Sequence, residues 1–297
     1  MNILILADWD HSGAGNALMQ AINTHTEHEV RQVAYKSSYL DYPVDTLQPT
    51  LAELRELWHW ADVVNIHDDS DKLMPWPRED RTLITTYHGT TYRNRWMYYN
   101  DFDRSRQRIS TALNLDLSMY GPRWVGRAVP DLMHLKDSER NGTFRVAHAP
   151  TNRFIKSTAQ VISACEDLDG VELVLIENAS NAECIRLKAG CDLLLEEFQL
   201  GYGTNAMECW AMGIPVLAHA IPHIEHYMNI RLDELPYVDT PLADLRQRIV
   251  QMRDDAGMYA DGVRRGAYYW QKYHEPATVA NQFIELCMED KNGRMDE

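Results

Sequence analysis

The chain has 297 residues, 45% hydrophobic and 25% charged, which suits two domains of about 150 residues or one large α/β domain with a full core. Its net charge of −15 weighs against a surface built to coat nucleic acid, and no run approaches the roughly 18 apolar residues of a membrane span. Five cysteines without a CxxC pair, and an N-terminus without a basic leader, predict reduced thiols in a cytoplasmic protein.

The run Asn2 to Ala7 reads as a buried first strand, followed by the turn DHSGAGNA and a helix over Ala17 to Asn23. Glu29 to Tyr35 alternates like a second strand. Leu51 to Trp60 is an amphipathic helix whose Trp58 and Trp60 suit a core better than a stacking platform, and it leads into a strand over Asp62 to His67. Leu83 to Tyr87 is a further strand ending at His88 and Gly89. This alternation predicts a parallel sheet with helices on both faces, and its ligand edge would carry Gly13, Gly15, His67 and His88.

The stretch from Arg93 to Arg108 interleaves Arg93, Arg95, Arg104, Arg106 and Arg108 with Trp96, Tyr98, Tyr99 and Phe102. It reads as a solvated helix face, with an anionic acceptor site as the sharper alternative. The polar segment KDSERNG (Lys136 to Gly142) is a linker candidate.

A second α/β series follows: strand Thr143 to His148, helix Thr158 to Leu168, strand Val171 to Glu177, helix Ala182 to Ala189 and strand Asp192 to Leu195. Arg153 and Lys156 follow the first of these strands, where two cations suit a diphosphate. The motif FQLGYGTNAMECWAMGIPV then places Gly201, Tyr202 and Gly203 in a turn before Thr204 and a short helix containing Glu208. Such a turn bares amides at a helix N-terminus, and Glu208 sits within reach of hydroxyls attached to the same anion. The tail from Met258 to Met288 reads as helix interrupted at Pro276. His219, His223 and His226 lack a Cys or Asp to complete a tetrahedral metal set, so no metal is expected.

The segments HAPTNRFIKST, VELVLIENASNAE and CDLLLEEFQLGYGTNAMECWAMGIPV resemble the nucleotide-sugar half of retaining glycosyltransferases with the GT-B fold, closest to family 4. The resemblance covers residues 144–218, extends to the tail helix, and is looser in the first half. It implies an N-terminal Rossmann-like domain over residues 1–138 on the acceptor side and a donor domain over 139–275. Residues 276–297 would form a closing helix that crosses back to the first domain. A nucleoside-diphosphate sugar, with UDP favoured, would be the donor substrate, and no tightly bound cofactor is implied. Arg153 and Lys156 would hold the diphosphate with the amides of Gly203 and Thr204, and Glu208 would bind the ribose. Glu177 and Tyr202 belong to the same expected site; Gly13 and Gly15 match a loop that closes on the donor, and His88 a histidine beside the transferred sugar.

One departure stands out. The first glutamate of the family's paired motif would fall near Leu200, and leucine cannot serve, leaving Glu196 or Glu197 as substitutes. The acceptor stays open: a surface glycan or lipid-linked precursor comes first, and the arginine-rich segment keeps a modified DNA base in view against the acidic total. A phosphorylase or epimerase on the same fold, and a non-catalytic sugar-nucleotide-binding protein, are the rivals.

Overall fold

The computed structural model describes residues 1–38, 40–70, 82–89, 92, 107–110, 123–136, 142–199, 201–219 and 231–293. In chain order the first elements are β1 (Asn2–Trp9), α1 (Ala14–His25), β2 (Glu29–Lys36), β3 (Thr46–Leu47), α2 (Leu51–Trp60), β4 (Val63–His67), β5 (Thr82–Tyr87), β6 (Gln107–Ser110) and β7 (Arg123–Trp124). There follow β8 (Phe144–His148), α3 (Thr158–Cys165), β9 (Val171–Leu175), α4 (Asn181–Ala189), β10 (Leu193–Leu195), α5 (Thr204–Ala211), β11 (Val216–Ala218), β12 (Val238–Asp239), α6 (Leu245–Asp254), α7 (Ala256–Tyr273) and α8 (Pro276–Gly293). The chain divides into two compact units: Met1–Ala128 with Tyr273–Glu297, and Val129–Lys272.

The first unit holds a parallel sheet in the order β3-β2-β1-β4-β5-β6-β7. Its central strand needs no polar alternation because both faces are covered: Ile3 to Ala7 are fully buried. Ile3 and Ile5 pack with Leu18 and Ile22 of α1 and with Val279, Ala280, Phe283 and Cys287 of α8. On the other face Leu4 and Leu6 pack with Leu54 and Trp58 of α2. That helix starts cleanly because Thr50 and Glu53 form a reciprocal capping box. The tail helix thus belongs to the first unit, and Pro276 opens it at the position where a missing N–H costs nothing. Gly126 lets the returning chain approach, since a Cβ there would stand 1.7 Å from the Tyr273 carbonyl oxygen.

The second unit holds a parallel sheet in the order β12-β11-β10-β8-β9. Phe144, Val146, Leu193, Leu195 and Leu217 form its core with Val161 of α3 and Leu245, Ile249 and Met252 of α6.

In each sheet the strand order reverses at one place. In the first it lies between β1 and β4, in the second between β8 and β10. Loops leaving the two strands on either side of such a reversal diverge and open a crevice at the carboxyl edge, the usual ligand position of doubly wound sheets.

Most expected elements recur with shifted ends. The first helix starts three residues earlier than its apolar run, where Gly13 is its N-cap in a left-handed conformation. The strand over Val171 stops at Leu175, which frees Glu177 for a loop. Strands β3, β6, β7 and β12 and helix α6 were not anticipated. The solvated-helix reading of residues 93–108 fails at its end, because Arg108 lies in β6; residues 93–106 lie outside the described residues, as do residues 137–141 of the linker candidate.

Candidate active site

In the second unit, the loop after β8 is shaped by Asn152, whose Oδ1 accepts from the amides of Phe154 and Ile155 at 3.0 and 3.1 Å. Ser157, with φ of 52°, then turns the chain into α3. This presents Arg153 to solvent, where it grips Glu177 through two parallel bonds, Nε to Oε1 at 2.7 Å and Nη2 to Oε2 at 2.5 Å. Those bonds hold the Glu177 carboxyl below its usual range.

Lys156 points the other way, into the crevice between β8 and β10. Its Nζ lies 2.8 Å from Glu196 Oε1 and 3.1 Å from Glu197 Oε2, both carboxylates nearly fully buried. Burial opposes the charged ammonium, but the two acids outweigh it and hold Lys156 above the usual lysine range. His148, at the end of β8, stitches the crevice together: Nδ1 donates to the Leu195 carbonyl at 2.9 Å, and Nε2 lies 3.0 Å from the Thr158 hydroxyl. Burial lowers its pKa.

The turn before α5 closes on the same place. Gly201 has φ of 92°, which demands glycine. Gly203 is the N-cap of α5, and a Cβ there would stand 2.9 Å from Glu196 Oε1 and 3.9 Å from Lys156 Nζ. Gly203, Lys156 and Glu196 therefore converge at the N-terminus of α5, which begins at Thr204.

The expected donor-site residue Tyr202 turns its side chain into the second unit's interior. It packs against Trp210 and Tyr269, with ring centroids 4.8 and 5.8 Å away, and its hydroxyl donates to that of Tyr269 at 3.1 Å. Glu208 is also drawn inward: Asn181 Nδ2 donates to its Oε1 at 2.9 Å, and its Oε2 is ion-paired with the fully buried Lys188. Lys188 was missed from sequence, because only the packing of α4 on α5 brings it to Glu208. Leu200 lies outside the described residues.

In the first unit, Asp10 follows β1 and organises the loop around Gly13 and Gly15. Its Oδ1 accepts from the Gly15 amide at 2.8 Å, and its Oδ2 from the Asn16 amide at 2.9 Å and Gln32 Nε2 at 2.7 Å. Gly13 has φ of 72° and a Cβ there would meet the Tyr42 ring at 2.2 Å; one on Gly15 would stand 2.8 Å from Gln32 Nε2. Gly13 is thus required by the loop's backbone and packing, whereas a side chain on Gly15 would press on Gln32.

Beside this loop three histidines form a ladder. His88 Nε2 lies 3.0 Å from His67 Nδ1, and the His88 ring stacks on His11 at 4.9 Å between centroids. Asp68 anchors the middle and one end, with Oδ1 accepting from the His88 amide at 3.0 Å and Oδ2 3.2 Å from His11 Nε2. Burial, then the neighbouring His67, His11 and Arg127, push His88 well below the usual histidine range, so its ring is neutral at physiological pH. The roles of His11 and Asp68 were not foreseen, although a His and an Asp just past strands β1 and β4 flank the strand-order reversal.

His219 pairs with Asp239 at 2.9 Å, while His223 and His226 lie outside the described residues. Among the described residues no group of three or more His, Cys, Asp or Glu is arranged to hold a metal ion, and no helix is long and apolar enough to cross a membrane.

No protein-family model matches the chain, and no curated protein matches it in sequence. Solved structures do match it over nearly its whole length. Anabaena Alr3699/HepE in complex with UDP-glucose has 14% identity and a TM-score of 0.70, covering 97% of this chain and 100% of its own. Sucrose-phosphate synthase from Thermosynechococcus elongatus has 12% identity and a TM-score of 0.69, covering 97% and 99%. An alpha-glucosyltransferase in complex with UDP and a 13-mer DNA containing an HMU base has 10% identity and a TM-score of 0.67, covering 96% and 98%. The two Rossmann-like sheets and these full-length matches give the chain the GT-B fold.

Proposed function

We propose that the protein is a cytoplasmic glycosyltransferase that moves a sugar from a nucleoside-diphosphate donor, UDP being favoured, to an acceptor hydroxyl with retention at the anomeric carbon. The observation that carries this reading is the convergence of Lys156, Glu196 and Gly203 at the N-terminus of α5, within the strand-order reversal of the second sheet. It is supported by the GT-B neighbours whose complexes hold UDP or UDP-glucose.

Negative charge builds on the departing diphosphate as the glycosidic bond breaks, and groups that meet it there accelerate the reaction. A lysine ammonium has three donors, and Glu196 and Glu197 engage two, leaving one for a phosphate oxygen. Arg153 is held to Glu177 only at the surface, where exchanging one anion for another costs little. The first-turn amides of α5, from Gly203 and Thr204, complete the anion site. These cations and amides take the part that a divalent ion plays in metal-dependent transferases. Glu208 receives the ribose hydroxyls. His88, neutral and fixed by His67 and Asp68, hydrogen-bonds the transferred sugar. The departing phosphate takes the acceptor's proton, so no carboxylate nucleophile is needed.

A surface glycan or its lipid-linked precursor is the favoured acceptor. A modified DNA base is the second reading, favoured by the neighbour solved with DNA containing an HMU base. The test is an assay of nucleotide release and sugar transfer with a panel of UDP-sugars, against glycan, lipid-linked and hydroxymethylated-DNA acceptors. The product's anomeric configuration is read by NMR. Release of UDP with an α-product from an α-donor supports the reading. Sugar phosphate formed from inorganic phosphate marks a phosphorylase, and binding without turnover marks a non-catalytic protein.

A further inference from the structure

Lys188 has no exposed surface, and no step proposed above uses it. From α4 its ammonium is ion-paired with Glu208 Oε2 on α5 and donates to Asn205 Oδ1 at 2.8 Å. Asn205 in turn donates to the Ala149 carbonyl at 3.2 Å. Together with the Asn181 bond to Glu208 Oε1, these contacts tie the loop after β8, helix α4 and helix α5 to one carboxylate. A lysine this deep keeps its charge only if a partner compensates for lost solvent. Here burial opposes the charged form and Glu208 outweighs it, so Lys188 stays above the usual lysine range. Buried ion pairs of this kind add little net stability over apolar side chains of the same volume, so packing alone is a poor reason for this one.

We propose that Lys188 is a positioning residue for nucleotide binding, holding Glu208 as an oriented carboxylate for the ribose hydroxyls. This rests on the reading of Glu208 as the ribose ligand. Each carboxylate oxygen has two acceptor sites. Asn181 takes one on Oε1 and Lys188 one on Oε2, which leaves one on each oxygen for a vicinal diol. Lys188 itself is too deep to touch a ligand; it acts through Glu208 alone.

The test is calorimetric titration of the full chain with UDP and with 2′-deoxy-UDP, which lacks one of the two hydroxyls. The wild type is expected to bind UDP about tenfold more tightly than the deoxy form, the value of one hydrogen bond to a charged group. Glu208→Gln and Lys188→Met should each bring the two affinities together. Lys188→Met leaves a buried carboxylate unpaired and risks misfolding, so the double variant Lys188→Met/Glu208→Gln, with both charges removed, is measured too. It should bind UDP as Glu208→Gln alone does. Preference lost in Glu208→Gln but kept in Lys188→Met overturns the role of Lys188 and leaves the ribose reading standing. Preference absent in the wild type, or kept in both single variants, overturns the ribose reading and the role of Lys188 with it. A double variant binding UDP several-fold more weakly than Glu208→Gln overturns the claim that Lys188 acts through Glu208.

Discussion

Lys156 stands between Glu196 and Glu197, 2.8 Å from an oxygen of the first and 3.1 Å from an oxygen of the second. The cation proposed to meet a diphosphate is therefore also the counterion of two buried acids. Lys156→Met strips both acids of their partner and is expected to destabilise the protein by about 3 kcal/mol, the usual cost of breaking a buried pair. Arg153→Ala, whose ion pair with Glu177 is exposed, should leave the melting temperature unchanged. Thermal melts of both variants check this. Arg153→Ala is accordingly the cleaner probe of donor binding: at saturating donor its turnover should fall about tenfold or more through lost stabilisation of the departing diphosphate.

Gly203→Ala separates the site from the fold. Its φ of −126° suits any residue, so the backbone is not strained. The new methyl would crowd the tip of Glu196, at 2.9 Å, with Lys156 Nζ in ordinary contact at 3.9 Å. That tip can swing away, but it then leaves Lys156. Turnover should fall about tenfold, the cost of a displaced catalytic contact, while the melting temperature changes little. A variant with wild-type kinetics would remove Gly203 from the site.

His274 makes stability depend on pH. It is buried beside the Arg127 carbonyl, with Nδ1 3.1 Å from that oxygen. Burial pushes its pKa down to about 4 from an ordinary 6.5, and the nearby Arg127 charge lowers it further while the carbonyl bond works against the shift. Between those values the unfolded chain binds a proton that the folded chain refuses. The stabilisation is therefore complete above pH 6.5 and is lost as pH falls towards 4, by about 3 kcal/mol for this one group. His67 and His88 are lowered in the same direction and add to it. Denaturant titrations from pH 7.5 to 4.5 should show the decline, and His274→Gln should make it shallower.

The sheets were legible because β1, β4, β8 and β10 are short apolar runs ending in residues that cannot continue a buried strand. The two-residue strands β3, β7 and β12 were not, since a pairing that short exists only where a neighbouring strand offers its edge. Helix α6 did carry a signal, with Leu245, Ile249 and Met252 at helical spacing, but its charged composition masked it. In the site, Arg153 and Lys156 were singled out from their place after a strand, and Glu177, Glu196 and Glu197 were also named, but which cation meets which acid was not legible. The destination of a lysine depends on which loop crosses it: Lys156 turns to Glu196 and Glu197 and Arg153 to Glu177, though the two cations are three residues apart. Tyr202 shows the converse. A tyrosine between two glycines reads as a loop aromatic, but Trp210 and Tyr269 supply a pocket that takes it inward.

The most direct measurement is the melting temperature of the wild-type protein in the presence of individual nucleoside-diphosphate sugars and of UDP alone. A ligand that binds only the folded chain at a hundred times its dissociation constant adds about 2.7 kcal/mol and raises the melting temperature by several degrees. A rise with UDP and at least one UDP-sugar, reduced in Arg153→Ala, is the predicted result. No rise with any nucleotide sugar would contradict a donor site in the second unit.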